Sequence, residues 1–235
     1  MKRSKKYWIL YLNLFFFIFF YGIYSFNPDL DITISKFFYL KDRFISEELV
    51  FIKTIRTTFK YIMIFIPIIS LIMLVFIFFD LKKKKYKKKF KIRRYFFVLL
   101  GFLIGPLIGC GLIANLYFKD TWGRARPVQI IEFNGDKLYT PPFTISDQCQ
   151  KNCSWIGGEA AAAFSFFVGI IILKNFYFFF TINLLFGVAV SLCRMAMGGH
   201  FFSDNLFSLI FMIFLAYIYR YFFYIVTKKK LINFS

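Results

Sequence analysis

The chain has 235 residues, 59% hydrophobic and 24% aromatic, with 38 Phe and a formal net charge of +19. So apolar a composition, with several runs long enough to cross a bilayer, excludes an ordinary soluble domain. The net charge taken alone would suit a nucleic-acid binder, but its placement along the chain argues against one and for a membrane.

Taken in chain order, the apolar runs predict six transmembrane helices, at roughly Trp8–Phe26, Tyr61–Phe79, Tyr95–Phe118, Ala160–Leu173, Phe176–Leu192 and Asn205–Val226. The fourth is short and begins nearer Gly158. The expected fold is an all-α integral membrane bundle in a single domain, residues 1–235. Lys2, Arg3, Lys5 and Lys6 precede the first run without a small-residue cleavage site after it, which predicts an uncleaved first helix.

Basic residues cluster again from Lys82 to Arg94, at Lys174, at Arg220 and at Lys228–Lys230. Of 31 Lys/Arg and 12 Asp/Glu, this side of the topology holds nineteen basic residues and one acid, Asp80. The opposite side is nearly neutral. That asymmetry puts both termini in the cytoplasm and predicts a multi-pass protein of the bacterial inner membrane. The Lys82–Arg94 run then holds topology against anionic head groups.

The first outer segment, Asn27–Thr58, has Ile34, Phe37, Phe38, Ile45, Leu49 and Ile52 at mostly helical spacing. It predicts an amphipathic helix on the outer leaflet, either structural or steering a lipid inward. The second outer loop, Lys119–Gly158, carries Pro127, Asn134-Gly135-Asp136 and Pro141-Pro142, and long loops of this kind are usually functional. Cys149 and Cys153 lie in it. On an oxidising side their spacing allows a small disulfide loop or two free thiols. Cys110 and Cys193 read as packed apolar residues.

Three polar elements fall on that outer face. Lys119 to Pro127 supplies Lys119, Arg124 and Arg126, cations suited to phosphate oxygens. Gly157-Gly158-Glu159, after Ser154, leads into the fourth span and offers backbone N–H groups to an anion. Arg194, His200 and Asp204 lie where the fifth span passes into the sixth, and His200 is the only histidine in the chain. At i and i+4, Asp204 can hold one ring nitrogen of His200 and leave the other free. Taken singly, each element has a plainer reading: a head-group contact, a turn, or a packed histidine beside a helix start.

Jointly, their spacing resembles the type 2 phosphatidic acid phosphatase superfamily, whose motifs are Lys-x6-Arg-Pro, Pro-Ser-Gly-His and Ser-Arg-x5-His-x3-Asp. Here Lys119 is followed at that spacing by Arg126-Pro127, and Arg194 by His200 and Asp204. The resemblance runs from about Phe79 to the C-terminus, with the phosphatase core about 79–226. The second motif departs: Ile156 replaces proline, Gly157 the phosphate-binding serine and Glu159 the acid histidine. Cys193 stands where the third motif begins with serine. With Glu159 and the texture of the Phe133–Ser154 loop, the chain looks most like the bacterial lipid A 4′-phosphatases.

The resemblance implies a phosphorylated membrane lipid as substrate, the bilayer as partner, and no cofactor, metal or nucleic acid. It implies His200 as nucleophile through a phosphohistidine, Asp204 holding the ring, and Lys119, Arg126 and Arg194 clamping phosphate with Gly157 and Gly158. Arg124 and Ser154 are accessory phosphate contacts. Glu159 acts as the acid or places the lytic water if burial keeps it protonated; if the nearby cations prevail, it orients an arginine or water, and anhydrides become easier substrates than monoesters. Undecaprenyl pyrophosphate, phosphatidylglycerophosphate and a non-catalytic lipid-binding or scrambling role are the alternatives. The sequence carries no signal for an oligomeric state.

Overall fold

The computed structural model describes residues 7–82 and 89–232, and side chains outside 80–93 and 228–232 within them. The basic clusters at Lys2–Lys6, across most of Lys82–Arg94 and at Lys228–Lys230 therefore lie outside the described side chains. Among the described residues the regular structure is helical apart from one short ribbon and an isolated bridge between Ile130 and Lys137. Helices α1 (Tyr7–Phe26), α2 (Leu30–Lys36), α3 (Ile45–Glu48) and α4 (Val50–Lys82) come first. Helix α5 (Lys89–Pro106) continues as a π-helical segment, Leu107–Lys119. Helices α6 (Gly158–Phe164), α7 (Phe167–Ile170), α8 (Phe176–Ala196) and α9 (Phe202–Ile232) follow the long loop.

Five helical stretches among the described residues are long and apolar enough to cross a membrane: Tyr7–Phe26, Val50–Phe79, Arg94–Lys119, Phe176–Ala196 and Phe202–Thr227. The fourth expected span is a shorter apolar stretch, Gly158–Ile170. It breaks at Ser165-Phe166 between α6 and α7 and is buried on nearly every side. Packed against α5, α8, α9 and the π-helical segment, it meets protein where the other spans meet lipid.

Close packing there depends on Gly101, Gly105 and Gly109, spaced four apart on one side of the third span. A Cβ at Gly101 would lie 2.6 Å from the Gly169 Cα, one at Gly105 2.4 Å from the Ser165 carbonyl, and one at Gly109 2.3 Å from the Met212 sulfur. Small residues four apart let helix backbones meet in a bilayer, where no hydrophobic force draws helices together. Pro106 ends α5 proper, where the i→i−4 ladder gives way to the wider π pattern.

The first outer segment departs from the expected single amphipathic helix. It folds as α2, a ribbon of β1 (Tyr39–Leu40) and β2 (Arg43–Phe44), then α3 and the start of α4. Lys41 and Asp42 both have positive φ, as a two-residue hairpin turn requires, so the chain reverses where a helix was expected to continue. The reversal lowers Phe44 into a small outer core with Ala125, Ile130, Phe133 and Phe201. On the other flank, α1 meets α9 through Asn13 Nδ2, which donates to the Ile210 carbonyl at 3.1 Å, and through Phe17 against Phe207, Phe211 and Phe214.

Candidate active site

His200 lies in the tight connection between α8 and α9 and is 1% exposed. Its Nδ1 donates to the Ser154 carbonyl at 2.9 Å. A carbonyl can only accept, so the proton sits on Nδ1 and the lone pair on Nε2. Asp204 Oδ2 is 3.6 Å from the same nitrogen. The sequence pointed to Asp204 as the group holding the ring; the hydrogen bond instead goes to the Ser154 carbonyl, and Asp204 faces it as a charge just beyond bonding range. Burial lowers the imidazole pKa to about 3, with Lys119 and Arg194 pushing the same way, so the ring is neutral at physiological pH.

Asp204 is held by a full set of donors. Arg124 Nη1 reaches Oδ1 at 2.6 Å, while Ser154 Oγ at 2.5 Å and the Phe201 N–H at 2.8 Å reach Oδ2. The last contact is half of a capping box, with a carboxylate in the first turn accepting from the residue before the helix. Ser154 thus serves both members of the pair, its carbonyl fixing His200 and its hydroxyl fixing Asp204, and it is itself fully buried.

Arg124 is 1% exposed, and its guanidinium is taken up by protein groups. Its Nη2 pairs with Asp31 Oδ2 at 2.8 Å, its Nε donates to the Thr140 carbonyl at 2.7 Å, and its guanidinium lies 4.3 Å from the centre of the Phe201 ring. Burial alone would lower its pKa; Asp204 and Asp31 outweigh that and raise it. Asp31, on α2, is fully buried and also accepts from the Tyr24 hydroxyl, the Ser203 N–H and the Ser203 hydroxyl.

Two further cations, Lys119 and Arg194, lie close enough to His200 to act on its charge. Lys119, at the end of the π-helical segment, is 7% exposed, and its ammonium is 3.5 Å from Asn152 Oδ1. A Cβ on Gly158 would come within 2.8 Å of that ammonium. Arg194, at the end of α8, is 5% exposed, and its Nε is buried without a hydrogen-bond partner. A Cβ on Gly199 would lie 2.3 Å from Arg194 Nη2. Glycine at 158 and 199 is therefore what allows two cations to be buried beside the histidine. Arg126 donates through Nε and Nη2 to the Asn152 carbonyl, at 3.2 and 2.7 Å, and burial lowers its pKa. Asn152 is placed by a disulfide between Cys149 and Cys153, which closes the loop around it.

Gly157 plays a different part from the anion contact its position suggested. Its N–H donates to the Asp204 carbonyl at 3.1 Å, and its own carbonyl accepts from Ser208 Oγ and the Ala161 N–H. It locks α6 onto α9, and Gly158 is left as the residue that opens α6 beside Lys119.

Glu159 faces a residue that sequence reasoning passed over. Arg56, near the N-terminal end of α4, donates from Nε to both Glu159 oxygens at 3.2 and 3.0 Å and from Nη2 to Oε1 at 2.5 Å. Arg194 Nε is 3.7 Å from the same carboxylate. Both Glu159 oxygens thus act as acceptors in a pair that is partly exposed, at 33% and 23% of the two side chains. Among the described residues no group of three or more His, Cys, Asp or Glu is arranged to hold a metal ion.

The sequence that builds this site has relatives among known proteins. Residues 94–228 match the family model of the PAP2 superfamily. The chain is 39% identical over 190 residues to a lipid A 4'-phosphatase of Francisella tularensis subsp. novicida, covering 78% of this chain and 82% of that one. A lipid A 4'-phosphatase of Rhizobium leguminosarum is 32% identical over 117 residues, covering 46% of each chain. No solved structure matches. The chain belongs to the PAP2 superfamily, and it is a multi-pass membrane member of it.

Proposed function

We propose that this protein is a lipid phosphatase that removes the 4′-phosphate of lipid A at the periplasmic face of the bacterial inner membrane. The observation carrying this reading is the neutral His200 beside Lys119 and Arg194, two buried cations with unfilled hydrogen-bonding capacity. Burying a cation short of partners is costly, and a phosphate dianion supplies both the charge and the acceptors. The names of the relatives supply the substrate. The one-sided distribution of basic residues and the Cys149–Cys153 disulfide support an outward-facing site.

In the proposed reaction, His200 Nε2 attacks phosphorus in line with the sugar oxygen. The N–P bond forms, the P–O bond to the sugar breaks, and the sugar oxygen leaves with a proton. Water then attacks phosphorus, breaks the N–P bond and releases inorganic phosphate, returning His200 to its neutral form. Lys119, Arg126 and Arg194 hold the equatorial oxygens throughout, with Gly158 giving them room. Asp204 offsets the positive charge on the phosphorylated ring. No cofactor or metal enters these steps. Glu159, with both oxygens accepting from Arg56, serves as the holder of Arg56 and Arg194; the proton for the leaving sugar comes from water at the mouth.

That arrangement favours one second reading. A lipid pyrophosphate leaves as a phosphate and needs no proton, so a site whose Glu159 is tied to Arg56 also suits an anhydride such as undecaprenyl pyrophosphate. Phosphate release by detergent-solubilised protein in EDTA tests the chemistry, and mass spectrometry of the lipid tests the substrate. We expect lipid A to lose one phosphate, located by fragmentation on the distal sugar, and His200→Ala to lose at least about 10³-fold in rate. Release only from the pyrophosphate lipid would select the second reading. No release from any phospholipid would leave a lipid-binding or scrambling protein.

A further inference from the structure

Asp204 Oδ2 lies 3.6 Å from the His200 ring, yet Arg124 lies 2.6 Å from the other Asp204 oxygen. A guanidinium that close, between side chains that are both fully buried, cancels most of a carboxylate's field. Asp204 and Arg124 alone would present His200 with a neutral pair. Asp31 changes this balance. It is fully buried, 2.8 Å from Arg124 Nη2, and it comes from α2, outside the part of the chain that matches the family model.

We propose that Asp31 is a positioning residue of the reaction: by taking up the charge of Arg124, it leaves the three-residue cluster with one net negative charge for His200. Two carboxylates on one guanidinium sum to minus one, and the face of that cluster nearest the ring is Asp204 Oδ2. Asp31 touches neither substrate nor histidine. It acts through Arg124, which spans the two carboxylates with Nη1 and Nη2. The charge matters most when the ring is phosphorylated at Nε2 with Nδ1 still protonated, because the imidazole is then a cation. Ser203 is the second link, its N–H and hydroxyl on Asp31 tying the first turn of α9 to α2.

This inference rests on His200 being the nucleophile. The test is steady-state kinetics on Asp31→Asn, Asp31→Glu and the double variant Asp31→Asn/Arg124→Gln, with thermal unfolding in detergent as the check on folding. Asp31→Asn keeps the shape and removes the charge. We expect it to lower kcat roughly 10–100-fold with KM changed less than about threefold, and Asp31→Glu to recover most of the loss. The double variant removes Arg124 and its counter-charge together, leaves Asp204 a net anion, and is expected to exceed Asp31→Asn in kcat. A role confined to holding α2 on α9 predicts the reverse, since the double variant loses more contacts, and a double variant slower than Asp31→Asn would overturn the proposal. If Asp31→Asn does not fold, the double variant carries the test: kcat within about tenfold of wild type supports the proposal, and less than about one-hundredth sinks it. Unchanged kcat in Asp31→Asn, with His200→Ala silent, defeats this inference alone. Activity surviving in His200→Ala defeats the reading beneath it.

Discussion

His200 is the only imidazole in the chain, so its protonation can be watched without interference. In protein carrying 15N-labelled histidine, one ring should appear, as the Nδ1–H tautomer, with no titration between about pH 8 and 5. A midpoint near the ordinary 6.5 would contradict the burial described. The sign of the stability effect follows. The unfolded chain takes up a proton near pH 6.5, and the folded one only near pH 3. Stability contributed by this group is therefore complete above 6.5 and falls as the pH drops from there toward 3. Arg124 gives a second residue-scale prediction. Arg124→Met leaves Asp31 and Asp204 buried and unpaired and should cost on the order of 3–5 kcal/mol, seen as a lower unfolding midpoint in detergent.

How much of this was legible in the sequence divides by distance along the chain. Lys119, Arg126, Arg194, His200 and Asp204 sit in short motifs, and their spacing led to them directly. Asp31 and Arg56 meet partners 93 and 103 residues away, in a segment whose charges look like the solvated face of an amphipathic helix. The available hints were local. Asp31 lies between Leu30 and Ile32, and Arg56 shares a helical face with buried Ile52. Neither hint names a partner, because the partners are set by the packing of α2 on α9 and of α4 on α6. Gly157 and Ser154 were found at the right place but with other tasks, since backbone bonding between α6 and α9 is set by tertiary packing.

Among the elements, two short features set the site. The Cys149–Cys153 loop presents both the carbonyl and the side-chain oxygen of Asn152 to Arg126 and Lys119. Reduction with dithiothreitol, or Cys149→Ser/Cys153→Ser, should raise KM several-fold and change kcat less, because phosphate binding loosens while His200 and Asp204 stay in place. Equal kinetics with and without reductant would remove the loop from the site. The glycine row of the third span is the other feature. Gly105→Leu would drive a side chain into the Ser165 carbonyl and should destabilise the fold by about 1–3 kcal/mol or more. Gly111→Ala, which points into open space apart from one ordinary contact, is the matched control.

Across the whole molecule, the site is assembled from both halves of the chain. The family match begins at residue 94, while Asp31 and Arg56 reach in from the segment before it. Helix α4 makes this possible by its length. At 33 residues it spans about 50 Å, well past a hydrocarbon core of about 30 Å, and its N-terminal part packs beside α6 and α8. Arg56→Ala should therefore raise KM for the lipid by about tenfold, and the charge-swapped Arg56→Glu/Glu159→Arg should recover part of it. Identical KM values for the single variant and wild type would mean that the pair only braces α4.

The hydrogen bond from Nδ1 of His200 to the Ser154 carbonyl also decides regiochemistry. With that nitrogen carrying a bound proton, only Nε2 is free to take a phosphoryl group, so the proposed intermediate would be a single isomer of phosphohistidine. The two isomers differ in their 31P resonance, and enzyme quenched in alkali during turnover, where the N–P bond survives, should show the Nε2 form alone. One imidazole per chain further means that the quenched label cannot exceed one phosphate per molecule. Its amplitude therefore sets a lower bound on the fraction of competent sites in a preparation.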